Sequence, residues 1–329
     1  MDKNVPLKDL ANKHNLIIGT AVSAKNLRED KKYQEIILRE FNVITPENAM
    51  KFWATHPALN KYNFTNADEI VEFAQKNNLM IRGHTLVWDH NLPDWLTKSG
   101  YGKEEITKIL KDHIQTVITR YSGKLIAWDV VNEPIHDGKF GLKNFWYETI
   151  GPEYLELSFR WAKEADPKAK LFLNEWGAEE INSKSDVIYF LIKNLLQKGV
   201  PIEGIGFQMH RGIGDPKIMH EIPDLVSMKN NFQRFADLGL EIQITEMDIQ
   251  TYGYQGNHEQ ILKAQAKAYE DIVKTVIKIP NVKALIFWGI LDKYSWIPAS
   301  FNHPDFAHIF DNDYLPKPAY NAVVNALVK

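Results

Sequence analysis

Eight short apolar runs alternate with amphipathic segments along the chain, and this alternation limits the possible folds more than any other feature. The runs are rich in β-branched and aromatic residues and are nearly continuous in apolar character. Parallel strands that are covered on both faces have this pattern. The predicted strands span residues 16–22, 43–46, 80–88, 126–131, 171–173, 204–209, 242–245 and 284–288.

The segments between the runs have the spacing of helices that bury one face. Gly123, Gly199 and Gly239 suit caps at the ends of three of them, and Pro152 suits a first helical position. Eight strand–helix units favour an α/β fold of the closed (β/α)₈ TIM barrel type, with an open doubly wound sheet as the alternative. Without a linker in the sequence, residues 1–329 are predicted to form a single domain. The predicted helices span residues 30–41, 67–77, 104–121, 152–165, 185–198, 223–238, 258–279 and 318–328.

The composition excludes several classes of protein. The net charge is −3 and basic residues do not cluster, which argues against a nucleic-acid partner. The sequence contains no cysteine, which excludes thiolate nucleophiles and cysteine metal sites. No apolar stretch reaches the roughly 20 residues of a membrane span. Residues 1–10 lack an apolar signal core, so we expect either a cytoplasmic protein or an extracellular one whose targeting segment is not part of this sequence.

Two carboxylates stand at the ends of predicted strands. Glu133 follows the fourth run and Glu246 follows the seventh. In a barrel, functional side chains collect at the C-terminal ends of the strands, so these two are expected to face one cleft. Such a pair suits glycoside hydrolysis, in which one carboxyl group protonates the leaving oxygen and the other attacks the anomeric carbon or activates water. A lone Glu at such a place is more often a solvated ion-pair partner, so the pairing itself favours catalysis.

Polar and aromatic side chains follow other runs at the same predicted rim. A single His on a strand is more often a core residue than a functional one, but here several residue types gather together. A mixture of hydrogen-bonding groups and aromatic faces is the lining that a sugar requires. The residues are Glu47, Asn48 and Lys51 after the second run, His84 and Trp88 in the third, Gln208 and His210 at the sixth, and Trp288 at the eighth.

These segments together resemble family 10 glycoside hydrolases, the barrel-type endo-β-1,4-xylanases. The resemblance covers nearly the whole chain, and its motifs occur in the order typical of the family. The strongest are Thr45-Pro46-Glu47-Asn48-Ala49-Met50-Lys51, Arg82-Gly83-His84-Thr85-Leu86-Val87-Trp88, Trp128-Asp129-Val130-Val131-Asn132-Glu133-Pro134, Ile244-Thr245-Glu246-Met247-Asp248 and Asp292-Lys293-Tyr294-Ser295-Trp296.

The resemblance implies a retaining double displacement on xylan or xylo-oligosaccharides, by a monomer that needs neither cofactor nor metal. Glu133 is then the general acid/base and Glu246 the nucleophile, and the negative charge of Glu246 favours a protonated Glu133 before the first step. Further roles are implied for matched positions. Asn132 is the residue that hydrogen-bonds to the sugar 2-hydroxyl, and Gln208 lies near the cleavage point. His210 contacts Glu246, with Asp248 behind it. Trp288 and Trp296 line the central subsite, and the residues that bind on the glycone side are Glu47, Asn48, Lys51, His84 and Trp88.

The sequence departs from the family pattern at three places. Asn91 stands where the family usually has Gln, so its contact is not carried over. Trp176 and Gly177 replace a Tyr-Asn pair. By the resemblance, Trp176 keeps an aromatic platform on the leaving-group side and Gly177 loses a polar contact, which predicts an altered preference on that side rather than lost activity. Residues 297–310 differ in length and composition.

Two other functions stay open from the sequence alone. One is a cellulase or mannanase of similar barrel design, because specificity for xylose depends on crowding near Lys51, Trp288 and Trp296. The other is a catalytically silent carbohydrate-binding barrel, which would be expected to lack one of the two Glu residues or Asn132. One pair of glycines, Gly204 and Gly206, lacks the third glycine of a dinucleotide-binding turn and is interpreted as belonging to an ordinary turn or to a place of close packing.

Overall fold

A computed structural model describes residues 5–136 and 144–328, and within them eight parallel strands close into a barrel surrounded by helices. The strands are β1 (Ile17–Val22), β2 (Val43–Pro46), β3 (Met80–Gly83), β4 (Ala127–Asn132), β5 (Lys170–Glu175), β6 (Gly204–Phe207), β7 (His210–Gly212), β8 (Glu241–Gln250) and β9 (Val282–Phe287). The helices are α1 (Leu7–Asn12), α2 (Ala24–Glu29), α3 (Lys31–Glu40), α4 (Phe52–Thr55), α5 (Thr65–Lys76), α6 (Asp94–Thr97), α7 (Lys103–Tyr121), α8 (Phe145–Ile150), α9 (Glu153–Ala165), α10 (Ser183–Gln197), α11 (Leu225–Ala236), α12 (His258–Val276), α13 (Ile297–Phe301) and α14 (Pro318–Val328), with a 3₁₀ turn at Asp292–Tyr294.

The barrel closes through a pairing that an open sheet would lack. Strands β1 to β6 pair in chain order, β6 then pairs with β8, β8 with β9, and β9 returns to β1. Every one of these pairings is parallel. The predicted TIM barrel is therefore confirmed, and the alternative of an open doubly wound sheet is wrong.

The structure contains elements that the sequence pattern did not predict. Strand β7 is a separate three-residue strand, although the sixth predicted strand ended at residue 209, and β8 continues five residues beyond the predicted end at residue 245. Helices α1, α2, α4, α6, α8 and α13 were also missed. Each of these helices has only four to six residues, which is too short to show a helical repeat of apolar positions.

Glycines hold two kinds of position that other residues could not occupy without strain. Gly123, Gly199 and Gly239 have φ of +74°, +69° and +85° just after α7, α10 and α11, which confirms their prediction as helix caps. Gly206 in β6 allows close packing, since a Cβ there would lie 2.2 Å from Oδ1 of Asn174. A side chain at Gly206 would therefore displace Asn174 from the barrel interior.

The barrel interior changes from apolar to polar along its axis. Near the N-terminal ends of the strands, a small apolar cluster is formed by Val43, Ala284 and Ile286 with Ile17, Met80 and Ile126. Farther along, Nε of Arg82 in β3 donates to Gln243 in β8 at 2.7 Å, a contact that crosses the interior because these strands lie on opposite sides. Arg82 also binds both carboxylate oxygens of Asp129, and this pairing offsets the cost of burying two charges.

The two ends of the described chain meet at the face where the strands begin. Helix α1 packs against α14 and β1. The backbone N–H of Leu7 donates to the Glu40 carboxylate at 2.9 Å, and Nε2 of His14 lies 2.8 Å from the carbonyl oxygen of Leu327. This face is opposite the C-terminal ends of the strands, where function is expected.

Candidate active site

One cavity of about 470 Å³ lies at the C-terminal ends of the barrel strands and brings most of the predicted residues together. Three predicted residues do not line it, but each contacts one that does: Glu47 and Asn48 lie beside Lys51, and Asp248 lies beside His210. The predicted residues that line the cavity are Lys51, His84, Trp88, Asn132, Glu133, Gln208, His210, Glu246, Trp288 and Trp296.

Glu133 lies at the point where the chain leaves β4 and turns into the cavity. Its φ is +52°, a left-handed conformation that is uncommon for a residue with a side chain, and its N–H donates to the carbonyl oxygen of Asn174 at 2.9 Å. Its carboxylate accepts one hydrogen bond from Nε1 of Trp88 at 3.0 Å and one from Nε2 of Gln208 at 2.8 Å. The side chain is only partly buried, so one side remains open to a ligand.

Glu246 in β8 is buried, and its carboxylate is held by two neighbours. Nδ2 of Asn174 donates to Oε1 at 2.7 Å, and Nε2 of His210 lies 3.1 Å from Oε2. Burial raises the pKa of Glu246, but the hydrogen bond to His210 and the nearby cationic side chains outweigh burial and lower the pKa to about 2. Glu246 is therefore an anion throughout the ordinary pH range.

The pairing of β7 with β8 places His210 between two carboxylates. His210 is the register partner of Asp248 in this pairing, and its Nδ1 lies 3.0 Å from Oδ1 of Asp248. Burial lowers the pKa of His210, but the charges of Asp248 and Glu246 outweigh burial and raise it to about 10. Nε1 of Trp296 donates to the other oxygen of Asp248 at 2.7 Å. His210 is thus cationic at neutral pH and fixed on both sides.

Asn174, which was not predicted as a site residue, connects the surroundings of the two carboxylates. Its Nδ2 donates to Glu246 and also to Oδ1 of Asn132 at 2.8 Å. Nε2 of Gln208 donates to Glu133 and lies 3.3 Å from the same Oδ1 of Asn132. Asn174 is the fifth residue of β5, so the rule that singled out the other strand ends could have found it.

The wall formed by the β2 and β3 segments is built around one ammonium group. Nζ of Lys51 donates to Oδ1 of Asn48 at 3.0 Å, and Nδ2 of Asn48 donates to Oε1 of Glu47 at 3.1 Å. The same ammonium lies 4.7 Å from the ring of Trp88 and 5.9 Å from the ring of Trp288. One ammonium thus lies near two indole rings on this side of the cavity.

The comparison with known families decides what kind of barrel this is. The sequence profile of glycosyl hydrolase family 10 matches residues 6–326. The chain belongs to glycosyl hydrolase family 10. The resemblance inferred from the motifs is therefore confirmed.

Three xylanases are similar to this chain over almost their whole length. Endo-1,4-beta-xylanase B of Thermotoga neapolitana is 47% identical over 98% of this chain and 91% of its own. Among solved structures, native xylanase 10B from Thermotoga maritima has 46% identity and a TM-score of 0.92 over 98% of both chains. Xylanase 10B from Thermotoga petrophila RKU-1 in complex with xylobiose has 45% identity and a TM-score of 0.93, covering 100% of this chain and 98% of that one.

The departures from the family 10 pattern differ in how close they lie to the cavity. Trp176 lines it, and its ring meets His220 edge-on at 5.2 Å between centroids. Gly177 has a φ of +68°, while Asn91 is exposed and does not line the cavity. In residues 297–310 the chain forms α13, whose last residue, Phe301, also lines the cavity.

Cavity-lining residues that sequence reasoning did not select as site residues come mainly from loops. Except for Trp176, for which an aromatic platform was predicted, they belong to segments whose apolar or His side chains gave no pattern of their own. These residues are His90, Ile135, His136, Trp176, Ile218, Met219, His220 and Phe301. Among residues 5–136 and 144–328, no group of three or more His, Asp or Glu side chains is arranged to hold a metal ion.

Proposed function

We propose that this protein is an endo-acting, retaining β-1,4-xylanase that uses Glu246 as nucleophile and Glu133 as general acid/base. The observation that carries the proposal is the contrast between the two carboxylates in one cavity. Glu246 is buried and held as an anion by His210, whereas Glu133 is partly exposed and accepts its hydrogen bonds from two neutral donors, Trp88 and Gln208. Carboxylates in such different settings suit different tasks in one reaction.

The first step forms a glycosyl ester at Glu246. An Oε of Glu246 attacks the anomeric carbon, the bond to the leaving sugar breaks, and Glu133 transfers its proton to the leaving oxygen. Asn174 and His210 hold the Glu246 carboxylate at fixed positions, which reduces the reorganisation needed for attack. In the second step Glu133 takes a proton from water, which attacks the same carbon and releases Glu246.

Asn132 supports the transition state from beside the acid/base. Its Oδ1 accepts hydrogen bonds from Asn174 and Gln208, which fixes the amide plane. A fixed amide can hydrogen-bond to the sugar 2-hydroxyl, a contact that strengthens as the ring approaches the oxocarbenium-like transition state.

The cation of His210 keeps Glu246 charged until the ester forms.

Xylose is the sugar that fits the crowded side of the cavity. The ammonium of Lys51 lies near the indole rings of both Trp88 and Trp288. Trp296 is held by the hydrogen bond from its Nε1 to Asp248. A hexose carries a hydroxymethyl group that needs additional space, whereas xylose does not. The xylanases among the relatives support the same substrate.

The proposal is tested by following products from xylan and from short xylo-oligosaccharides, with the anomeric configuration monitored by NMR. We expect internal cleavage to oligosaccharides whose first-formed reducing ends are β. Xylan should be cleaved about tenfold or more faster than cellulose or mannan, the usual effect of one misfitting group. First-formed α products would contradict retention, and a faster rate on cellulose or mannan would contradict the substrate.

His210→Asn is expected to move the acid limb of the kcat/KM profile to higher pH. The imidazole supplies a hydrogen bond and a positive charge that lower the pKa of Glu246. Without them burial dominates, so the pKa of Glu246 rises and the nucleophile is protonated at higher pH. We expect a shift of about one pH unit or more.

The matched comparison is His90→Asn, since His90 also lines the cavity but stacks on Trp88 rather than contacting Glu246. The acid limb of the kcat/KM profile of His90→Asn should stay at the pH of the wild type. An unchanged limb in His210→Asn would show that His210 does not set the ionisation of Glu246.

We further propose that the whole chain is one catalytic domain that acts as a monomer, because a single chain supplies the cavity. No helix in the described part of the chain is both long and apolar enough to cross a membrane. An extracellular location suits a polymer that cannot enter cells, and cytoplasmic action on imported xylo-oligosaccharides is the alternative. Detection of the protein in culture medium or in cell extract decides between them.

A further inference from the structure

A buried carboxylate outside the catalytic pair connects two walls of the cavity. Glu175 is the last residue of β5 and is fully buried. Its Oε2 accepts a hydrogen bond from the backbone N–H of Ile135 at 3.3 Å, and its Oε1 accepts one from the backbone N–H of Trp176 at 3.0 Å. Ile135 and Trp176 both line the cavity, and Ile135 follows Glu133 by two residues. One carboxylate thus holds the backbone of two residues that line the cavity.

Lys184 in α10 completes this arrangement from behind the cavity. Its Nζ lies 3.0 Å from Oε1 of Glu175 and 4.1 Å from the centroid of the Trp176 ring. The Lys184 side chain is 13% exposed and does not line the cavity. The ammonium therefore contacts the indole from the side away from the cavity and leaves the ring in place to meet a ligand.

The charges of Glu175 and Lys184 depend on each other. Burial and the charge of Glu133 raise the pKa of Glu175, whereas the ammonium of Lys184, 3.0 Å from its Oε1, opposes the rise and favours the carboxylate. An isolated buried charge is costly, and removing one partner leaves the other uncompensated. The two side chains therefore form one unit, called here the Glu175–Lys184 pair.

We propose that the Glu175–Lys184 pair positions Trp176 as the platform for the sugar on the leaving-group side of the scissile bond. This inference rests on the proposed xylanase activity. Neither member of the pair touches the reacting atoms, so both are positioning residues. They act on the substrate through the Trp176 ring and through the backbone that follows Glu133. The effect should thus depend on whether the leaving group is a sugar.

The test compares a substrate that has sugars on the leaving-group side of the scissile bond with one that has none. Xylohexaose places sugars on the leaving-group side, whereas in β-xylobiosyl fluoride the leaving group is a single atom that cannot contact Trp176. Lys184→Met keeps the unbranched stem but removes the cation. We expect kcat/KM on xylohexaose to fall about tenfold, the size of a buried cation–π contact, and kcat/KM on the fluoride to change less than about twofold.

A double-mutant cycle tests whether the pair acts as a unit. Glu175→Gln keeps the side-chain shape and an acceptor oxygen but removes the charge. The double variant with Lys184→Met should lie within about twofold of the lower single variant on xylohexaose, because residues in one network are not additive. If the losses of kcat/KM in the two single variants add up in the double variant, Glu175 and Lys184 do not act as a unit.

Lys193→Met is the matched control. Lys193 lies in the same helix, is exposed, and has its ammonium 5.9 Å from the ring of Tyr189, away from the cavity. Lys193→Met should leave kcat/KM on both substrates unchanged. Equal losses on xylohexaose and the fluoride in Lys184→Met, or no loss on xylohexaose, would overturn this inference while leaving the proposed function intact. A wild-type protein inactive on both substrates would instead contradict the proposed function.

Discussion

Replacing Glu246 with Ala is expected to lower the rate of xylan hydrolysis by about 10⁴-fold or more, because a covalent nucleophile has no substitute in its site. The change also removes a buried anion that faces His210 and Asn174, so the cavity becomes more positive. A small anion should be drawn into the space. With an activated aryl β-xylobioside, added azide is therefore expected to restore turnover and to give a glycosyl azide of the α configuration.

Glu241→Ala is the matched control for this prediction. Glu241 begins the same strand, at the end opposite the cavity, and makes an ion pair with Lys170 whose lysine is half exposed. Its contacts, with Lys170 and with Nε2 of Gln243, lie outside the cavity, so activity should stay within about twofold of the wild type. Xylan hydrolysis near the wild-type rate in Glu246→Ala would show that Glu246 is not the nucleophile.

Glu133→Ala is expected to separate the two chemical steps. Xylan needs protonation of its leaving oxygen, so its hydrolysis should fall by about 10²- to 10⁴-fold, the usual contribution of a general acid. An activated aryl β-xylobioside needs little protonation and should still form the glycosyl ester. Since the general base for the second step is also missing, the ester should accumulate and appear as a burst of released phenol.

Glu133→Gln provides the comparison of equal shape. It keeps the side-chain length and an oxygen that can accept from Trp88 or Gln208, but it has no proton to give. Glu133→Gln should also lose activity on xylan while still forming the ester from the aryl substrate. This result would exclude a packing defect as the cause of the loss on xylan. A loss of the first step on the aryl substrate as large as the loss on xylan would contradict the acid role.

The sequence predicted the barrel and many of the residues that line its cavity, because both predictions depend on local patterns. Each barrel strand is an apolar run that can be recognised without knowledge of its partners, and the closed barrel places all the C-terminal ends at one face. Glu133, Glu246 and His84 stand at such ends and could be selected one by one. Their assembly into one cavity followed from the fold rather than from any feature of the individual residues.

What the sequence did not predict depends on pairing between distant segments. Strand β7 has three residues and exists because it pairs with the second half of β8, which is also why β8 is longer than its apolar run. The bridge formed by Asn174 requires the space at Gly206, a neighbour that only the sheet register identifies. The Glu175–Lys184 pair likewise joins a strand end to a helix eight residues later.

The position of the two chain ends has a consequence for how the enzyme can be combined with other proteins. Helices α1 and α14 meet at the face of the barrel opposite the cavity, held by the contacts of Leu7 and His14. A polypeptide fused at either end would leave from that face and would not obstruct the entry of a polysaccharide. Because the ends are neighbours, a short linker could also join them, and new ends could be opened in an exposed loop elsewhere. Tethering to a solid support through either end should likewise leave the cleft facing the solution.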